Sequence, residues 1–512
     1  MKKILKWILY VIIGIALLFA GAHFYLKHKI TQFLDGDIAE NIRLDYSDFS
    51  LNTLTGSISI SDVRLKQLSE SDSVKLGVSS NKIAVNDVSY WEYIANGEIH
   101  ISSIFIENNQ LNLYKTQNKE QDSASAKKSK NFDKNIFIDS LFIGPTELNQ
   151  FTTPSHTAPE AHAVLSKIAL STIKFPVKDP VKKIPFNYKS IVIAADTAFY
   201  KLSRFNELKT GAVTLTNNDL NIENFELATP MSRQNLSQES EKERDHVQLN
   251  IPIISLQNMD WGFSEDNFQL KIPRLTITEP HCSIYRDKRL DDNTSKKQLY
   301  SESLRNLPLG LQIDSMLIKK GHLVYSEKTE SQEPAGTLYF ENLNAEMTHI
   351  VAGHLTDGTD TKINISTQFM KTAPATVDWS FNVQNPKDRF VFKTSVDNFD
   401  ASQINDFTVH TVGLSLEGEI NQIYFTISGD DNSSQTDIRL KYEDFKVEML
   451  NDKSKNKWFI STIANIFVKK NSKKNGNLEF QKGSATTQRD KQKSFFNFIW
   501  ISLKDALIKA IT

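Results

Sequence analysis

The chain has 512 residues and carries 60 Lys and Arg against 61 Asp and Glu, a formal net charge of −1. That balance gives no overall pull towards nucleic acid or an anionic surface. The single cysteine, Cys282, excludes an intramolecular disulfide, so stability must come from burial and strand pairing.

At the amino terminus Lys2, Lys3 and Lys6 precede an uncharged run over residues 7–26, which Lys27 and Lys29 close. A helix of that length reaches about 30 Å, enough to span a hydrocarbon core. Trp7, Ile8, Ile12, Ile13, Leu17, Leu18 and Phe19 are its anchoring side chains. The lysines before the run favour a cytoplasmic start, with the rest of the chain translocated. A cleaved signal peptide is the rival, because Ala20-Gly21-Ala22 resembles a small-residue cleavage site. The run exceeds the usual signal core and its helical pattern continues through Phe33, which favours a retained anchor over residues 1–36.

From Leu44 onwards the pattern is strand after strand. Residues 52–65 read as a turn at Gly56 followed by alternation, and 90–97 as a helical turn ended by Asn96-Gly97. Trp91 and Tyr93 on that turn are expected to plug the first turn of a stack rather than to hold a ligand. Next comes Ile99–Tyr114, the stretch whose spacing returns downstream. Its apolar residues Ile99, Ile101, Ile104, Ile106, Leu111 and Leu113 stand at offsets 0, 2, 5, 7, 12 and 14. Each pair has the period of a strand, and the odd steps between pairs predict a bulge or corner, giving two short strands, a turn and a third.

The same offsets recur from Phe186, Leu270, Leu311 and Leu338. Chance would supply about 0.6 such matches in a chain of this composition. Shorter matches start at Ile58, Ile83, Ile136 and Leu220, but chance supplies roughly ten of those. The repeat predicts a mainly β, elongated, curved antiparallel sheet built from degenerate units over residues 37–360.

Several units end in a tyrosine, Tyr114, Tyr285 and Tyr325, and run into polar stretches that read as flexible loops, as does 231–246. Lys127, Lys128 and Lys130 in the first of these read as a solvated loop rather than a binding patch. Residues 361–468 show plain alternation with hairpin signals and extend the antiparallel sheet. A Lys-rich polar linker is expected at 469–493, without order. Over 494–512, Phe495, Phe496, Ile499, Trp500, Leu503, Leu507, Ala510 and Ile511 fall at helical spacing. That amphipathic helix either caps the β body or lies on a membrane surface.

The sequence contains no GxSxG, HExxH, P-loop or GxGxxG. His349 and His354 bracket a Gly-containing turn and read as solvated rather than metal-binding, while Cys282 occupies an apolar offset and reads as a small buried hydrophobe. The expectation is a non-enzymatic protein with no cofactor, no metal and no nucleic-acid partner. The apolar stripe has two readings: the core of a closed sandwich, or an open face filled by acyl chains.

Residues 33–65, FLDGDIAENIRLDYSDFSLNTLTGSISISDVRL, and 88–115, VSYWEYIANGEIHISSIFIENNQLNLYK, together with the preceding apolar helix, resemble the amino-terminal pattern of the AsmA-like family. The resemblance implies a repeating β-groove protein anchored in the inner membrane, its bulk in the periplasm, concerned with phospholipid transport between inner and outer membranes. Ile99, Ile101, Ile104, Ile106, Leu270, Ile272, Leu275, Ile277, Leu311 and Ile313 would then be candidates for a lipid-binding lining. Membrane phospholipids are the expected partners, with an envelope protein completing the path. The alternative is an envelope scaffold that assists outer-membrane protein assembly.

Overall fold

The computed structural model describes residues 2–36, 41–69, 73–115, 134–175, 186–264, 267–330, 334–355, 357–450, 470–474 and 476–511. The molecule is mainly β, and 24 of the described strands belong to one mixed sheet. The chain forms two compact units, Met1–Lys201 with Lys209–Asn217, and Leu202–Leu208 with Asn218–Thr512.

In the first unit Ile99–Tyr114 is a single strand of 16 residues, not two short strands and a turn. Its step from Ile106 to Leu111 crosses Asn108, whose φ is +48°. A left-handed residue inside a strand kinks it and resets the alternation, and asparagine tolerates that conformation. Glu279 (φ +51°) and Lys320 (φ +52°) stand at the same offset in the copies from Leu270 and Leu311. The second odd step of the repeat, from offset 7 to offset 12, is therefore a backbone kink.

The sheet departs from the antiparallel expectation at the repeat itself. Ile99–Tyr114 runs parallel to Ile136–Ile143 and Thr146–Phe151. In the second unit Asn267–Thr278 and His281–Asp287 run parallel to Gly310–Lys328. Parallel neighbours need a long return connection, and the polar stretches after Tyr114 and Tyr285 supply it. In that second pairing equal offsets meet: Leu270 faces Leu311, Ile272 Ile313, Leu275 Met316 and Ile277 Ile318. The next strand, Gly336–Ala352, runs the other way and still matches, with Leu311 against Ala352, Ile313 against Ile350 and Tyr325 against Leu338.

Several polar segments are more ordered than expected. The 231–246 stretch contains the helix Arg233–Glu239. The segment after Tyr285 is tied down: Lys297 N–H donates to the Lys491 carbonyl at 2.7 Å and Lys493 pairs with Asp292 at 2.6 Å. Lys127, Lys128 and Lys130 lie outside the described residues. Within 469–493, Gln481–Gln488 is a strand, antiparallel to Ser433–Met449, so this part of the expected linker is sheet. A composition of Lys, Gly, Ser, Ala and Thr hides it, because its neighbours supply the bulk that it lacks. From Thr361 to Met449 the antiparallel ladder is as expected, with the unexpected helix Asn405–Val412 between strands.

Two predictions follow from local geometry. Asn108→Val, a β-branched residue at positive φ, should cost about 1–2 kcal/mol in urea unfolding, whereas Asn108→Gly should leave the midpoint nearly unchanged. Asp287, buried, accepts from Arg289 Nη2 at 2.5 Å and from Ser237 Oγ at 2.7 Å. The Arg289 contact, aided by Ser237, lowers its pKa to about 2. Its stabilisation is thus present above the ordinary carboxylate value and lost as pH falls through about 4 to 2. The loss should amount to about 2 kcal/mol and be absent in Asp287→Asn, measured by unfolding across that window.

Candidate functional site

Directly paired residues on neighbouring strands point to the same face, so register reveals which apolar side chains form rows. In the first unit one row runs Ile60, Ile83, Ile106, Ile143, Ile168, Ile193, Leu215. At about 4.8 Å per strand this unbroken row is about 29 Å long. All seven residues are half-buried. Two residues along each strand lies a second row, Ile58, Val85, Ile104, Leu141, Leu170, Ile191. Ile101 and Ile104, an odd number apart, pack against one cluster of Ile138, Leu170, Ile173 and Ile191, so the face is continuous through the first parity change.

The second unit has the same pair of rows. One runs Leu220, Leu256, Leu275, Met316, Met347, Ile363, Trp379, Phe392, Ile427, Thr436, Ala485. Its first five members are half-buried and every member from Ile363 onwards is buried. The change has a visible cause. The helix Phe495–Ile511 lies on the far strands, with Phe495 stacked on Trp379 at 4.7 Å between ring centroids and Ser502 hydrogen-bonded to Ser434 at 2.7 Å. Gly483 is required beneath it, since a Cβ there would lie 2.1 Å from the Ala506 carbonyl oxygen.

That helix buries Phe495, Phe498, Ile499, Ser502, Ala506, Ala510 and Ile511. Phe496 and Trp500, expected on the buried face, are exposed. Sequence reading favoured the largest apolar side chains, but the close approach to Gly483 selects small ones. Of the two expected roles, the contacts are those of a cap on the sheet.

The predicted lining residues stand on the strands that carry these rows, in two groups. Ile99, Ile101, Ile104 and Ile106 are half-buried in the first unit, and Leu270, Leu275, Ile277 and Leu311 are half-buried in the second. Ile272 and Ile313, 4% and 7% exposed, pair with each other in a buried row that continues to Ile350. Sequence reasoning missed Ile83, Ile143, Ile168, Ile254 and Met347. The signal for Ile83 and Ile143 was present in the short matches at Ile83 and Ile136, which only strand pairing separates from chance, whereas Ile168, Ile254 and Met347 fall outside every match.

Against protein-family models and curated protein sequences the chain gives no match. The chemistry of the face must therefore be read from its own residues. Among the described residues no three His, Cys, Asp or Glu side chains are grouped to hold a metal ion. Burial pushes the Cys282 thiol up, away from the reactive thiolate. His354 is hydrogen-bonded to Gln269 at 3.1 Å. The opposite face is not wholly polar, since Phe105 and Phe142 are exposed there with ring centroids 6.0 Å apart.

The expected anchor lies in the helix Lys2–Gly36, where Ile12, Ile13 and Leu17 are exposed. The side chains of Trp7, Ile8, Leu18 and Phe19 lie outside the described residues. Among the described residues no helix is long and apolar enough to cross a membrane.

Replacing Gly483 by valine should unseat the terminal helix. The expected outcome is a loss of about 1–3 kcal/mol in unfolding, together with faster hydrogen exchange confined to 481–511.

Proposed function

We propose that the chain is a membrane-anchored, lipid-binding β-groove protein of the periplasm. It would hold phospholipid acyl chains on its apolar face while head groups stay in water. The observation that carries this reading is the unbroken, half-buried row from Ile60 to Leu215, with its counterpart from Leu220 to Met347. A continuous apolar band of this kind on a water-facing sheet marks a surface made to be covered. An acyl chain suits it better than a rigid ligand, because the rows offer area without directional polar groups. Each methylene removed from water contributes about 0.8 kcal/mol, so affinity needs no dedicated head-group site.

The amino-terminal resemblance to the AsmA-like family supports the same reading and adds its setting, phospholipid movement between inner and outer membranes. In the second unit the terminal helix fills the far end of the face, so lipid would occupy the strands before Ile363.

The test is photocrosslinking in cells with the reactive side chain at Ile106 and Leu275, on the face, and at Glu107 and Lys271, off it. Phospholipid adducts are expected at the first pair only, and none at Phe392 beneath the terminal helix. Intramolecular protein adducts alone at Ile106 and Leu275 would make the face ordinary core and leave the envelope-scaffold reading in its place.

A further inference from the structure

The short helix Tyr90–Asn96 has no buried residue. Trp91 and Tyr93, expected to plug the first turn of a stack, instead face solvent, Trp91 being 73% exposed; Ile94, 76% exposed, and Tyr90 are exposed beside them. Seven residues of helix are marginal in water by themselves, so packing elsewhere would ordinarily explain such a composition. Here the core does not supply it.

What lies beside the helix is informative. The turn at Gly56 packs on the segment leading into it, with Val88 N–H donating to the Gly56 carbonyl at 3.2 Å. That turn carries Leu54, 76% exposed. The adjoining Thr53 lies 3.5 Å from His23 Nδ1, near the end of the apolar run in the amino-terminal helix. Phe24 and Tyr25 follow there, both exposed, and then the basic Lys27 and Lys29. Lys134 sits over the Tyr93 ring at 3.7 Å. Trp, Tyr and Lys gathered beside the end of an apolar span is the composition of a membrane–water interface.

We infer that Leu54, Trp91 and Ile94, with Tyr90 and Tyr93 at their margin, form a docking surface for the phospholipid bilayer, set into the head-group layer beside the amino-terminal helix. The inference rests on the anchor reading proposed above. The bilayer is the occupant because the surface continues from an apolar helix end, with Lys134 over the Tyr93 ring and Lys27 and Lys29 after the span, while the helix's one carboxylate, Glu92, is hydrogen-bonded to Asn96 at 2.6 Å. The helix then works as a foot that holds the start of the sheet against the membrane.

The test uses the full chain in phosphatidylethanolamine–phosphatidylglycerol vesicles, with Cys282→Ser and one added site, Trp91→Cys, Ile94→Cys or Leu17→Cys, carrying an environment-sensitive fluorophore. Trp91 and Ile94 are exposed, so their replacement leaves the fold intact. Spin-labelled lipid should quench all three sites by about half or more, a label near the head group acting best at positions 91 and 94. Quenching at 17 without quenching at 91 and 94 overturns the docking surface and keeps the anchor. Shielding of 91 and 94 from aqueous iodide without lipid quenching overturns it in favour of a protein partner. No quenching at 17 overturns the anchor reading itself.

Discussion

The structure depends on strand register. Backbone hydrogen bonds set Ile83 against Ile106, Ile143 against Ile168 and Ile277 against Ile318, and each such pairing keeps an apolar row on one face. A slip of one residue would send the whole row to the other side, which makes register the most strongly specified property of a sheet with one apolar face. The kinks obey the same constraint. Glu279 and Lys320 lie on parallel neighbours at equal offsets, so the two strands bend together and the rows survive the bend.

One sequence pattern yields two physical outcomes in the second unit. Leu256 and Leu275 share a row with Phe392 and Ile427, yet the first two are half-buried and the last two buried. The difference is the covering element. Where the terminal helix lies, the row takes part in a core of packed rings, Phe495 stacked on Trp379 and edge-to-face with Phe390. Where it does not, Leu256, Leu275 and Met316 retain contact with solvent, although Ile272, Ile313 and Ile350 on the same strands and their neighbour are buried. Apolar periodicity therefore specifies a face, and whether that face becomes core or keeps contact with solvent is decided by what is placed upon it.

This division explains how far the sequence could be read. The β class and many members of the apolar rows were legible because a two-residue period leaves a direct imprint on the order of apolar residues. Strand direction was not, since an apolar alternation has no arrow and the parallel pairs are set by connections whose residues are polar. The kinks at Glu279 and Lys320 were hidden because neither residue advertises a left-handed conformation as Gly or Asn does. Gln481–Gln488 was missed for the opposite reason to Trp91. The strand lacks apolar bulk because a helix presses on it, whereas the tryptophan was assigned to the interior by its size and stands on the outside.

The spacing of the repeat carries a further meaning. Five of the six offsets, 0, 2, 7, 12 and 14, read the same in both directions, and Gly336–Ala352 matches Gly310–Lys328 head to tail at these positions, as Asn267–Thr278 and His281–Asp287 match it side by side. A strand with a palindromic pattern can be copied next to its parent in either direction and still extend the apolar rows. An antiparallel copy needs only a turn, so such a sheet can lengthen by duplication of a single strand, whereas a parallel copy also needs a long return connection. The reach of the apolar face is then a quantity that gene duplication can adjust one strand at a time.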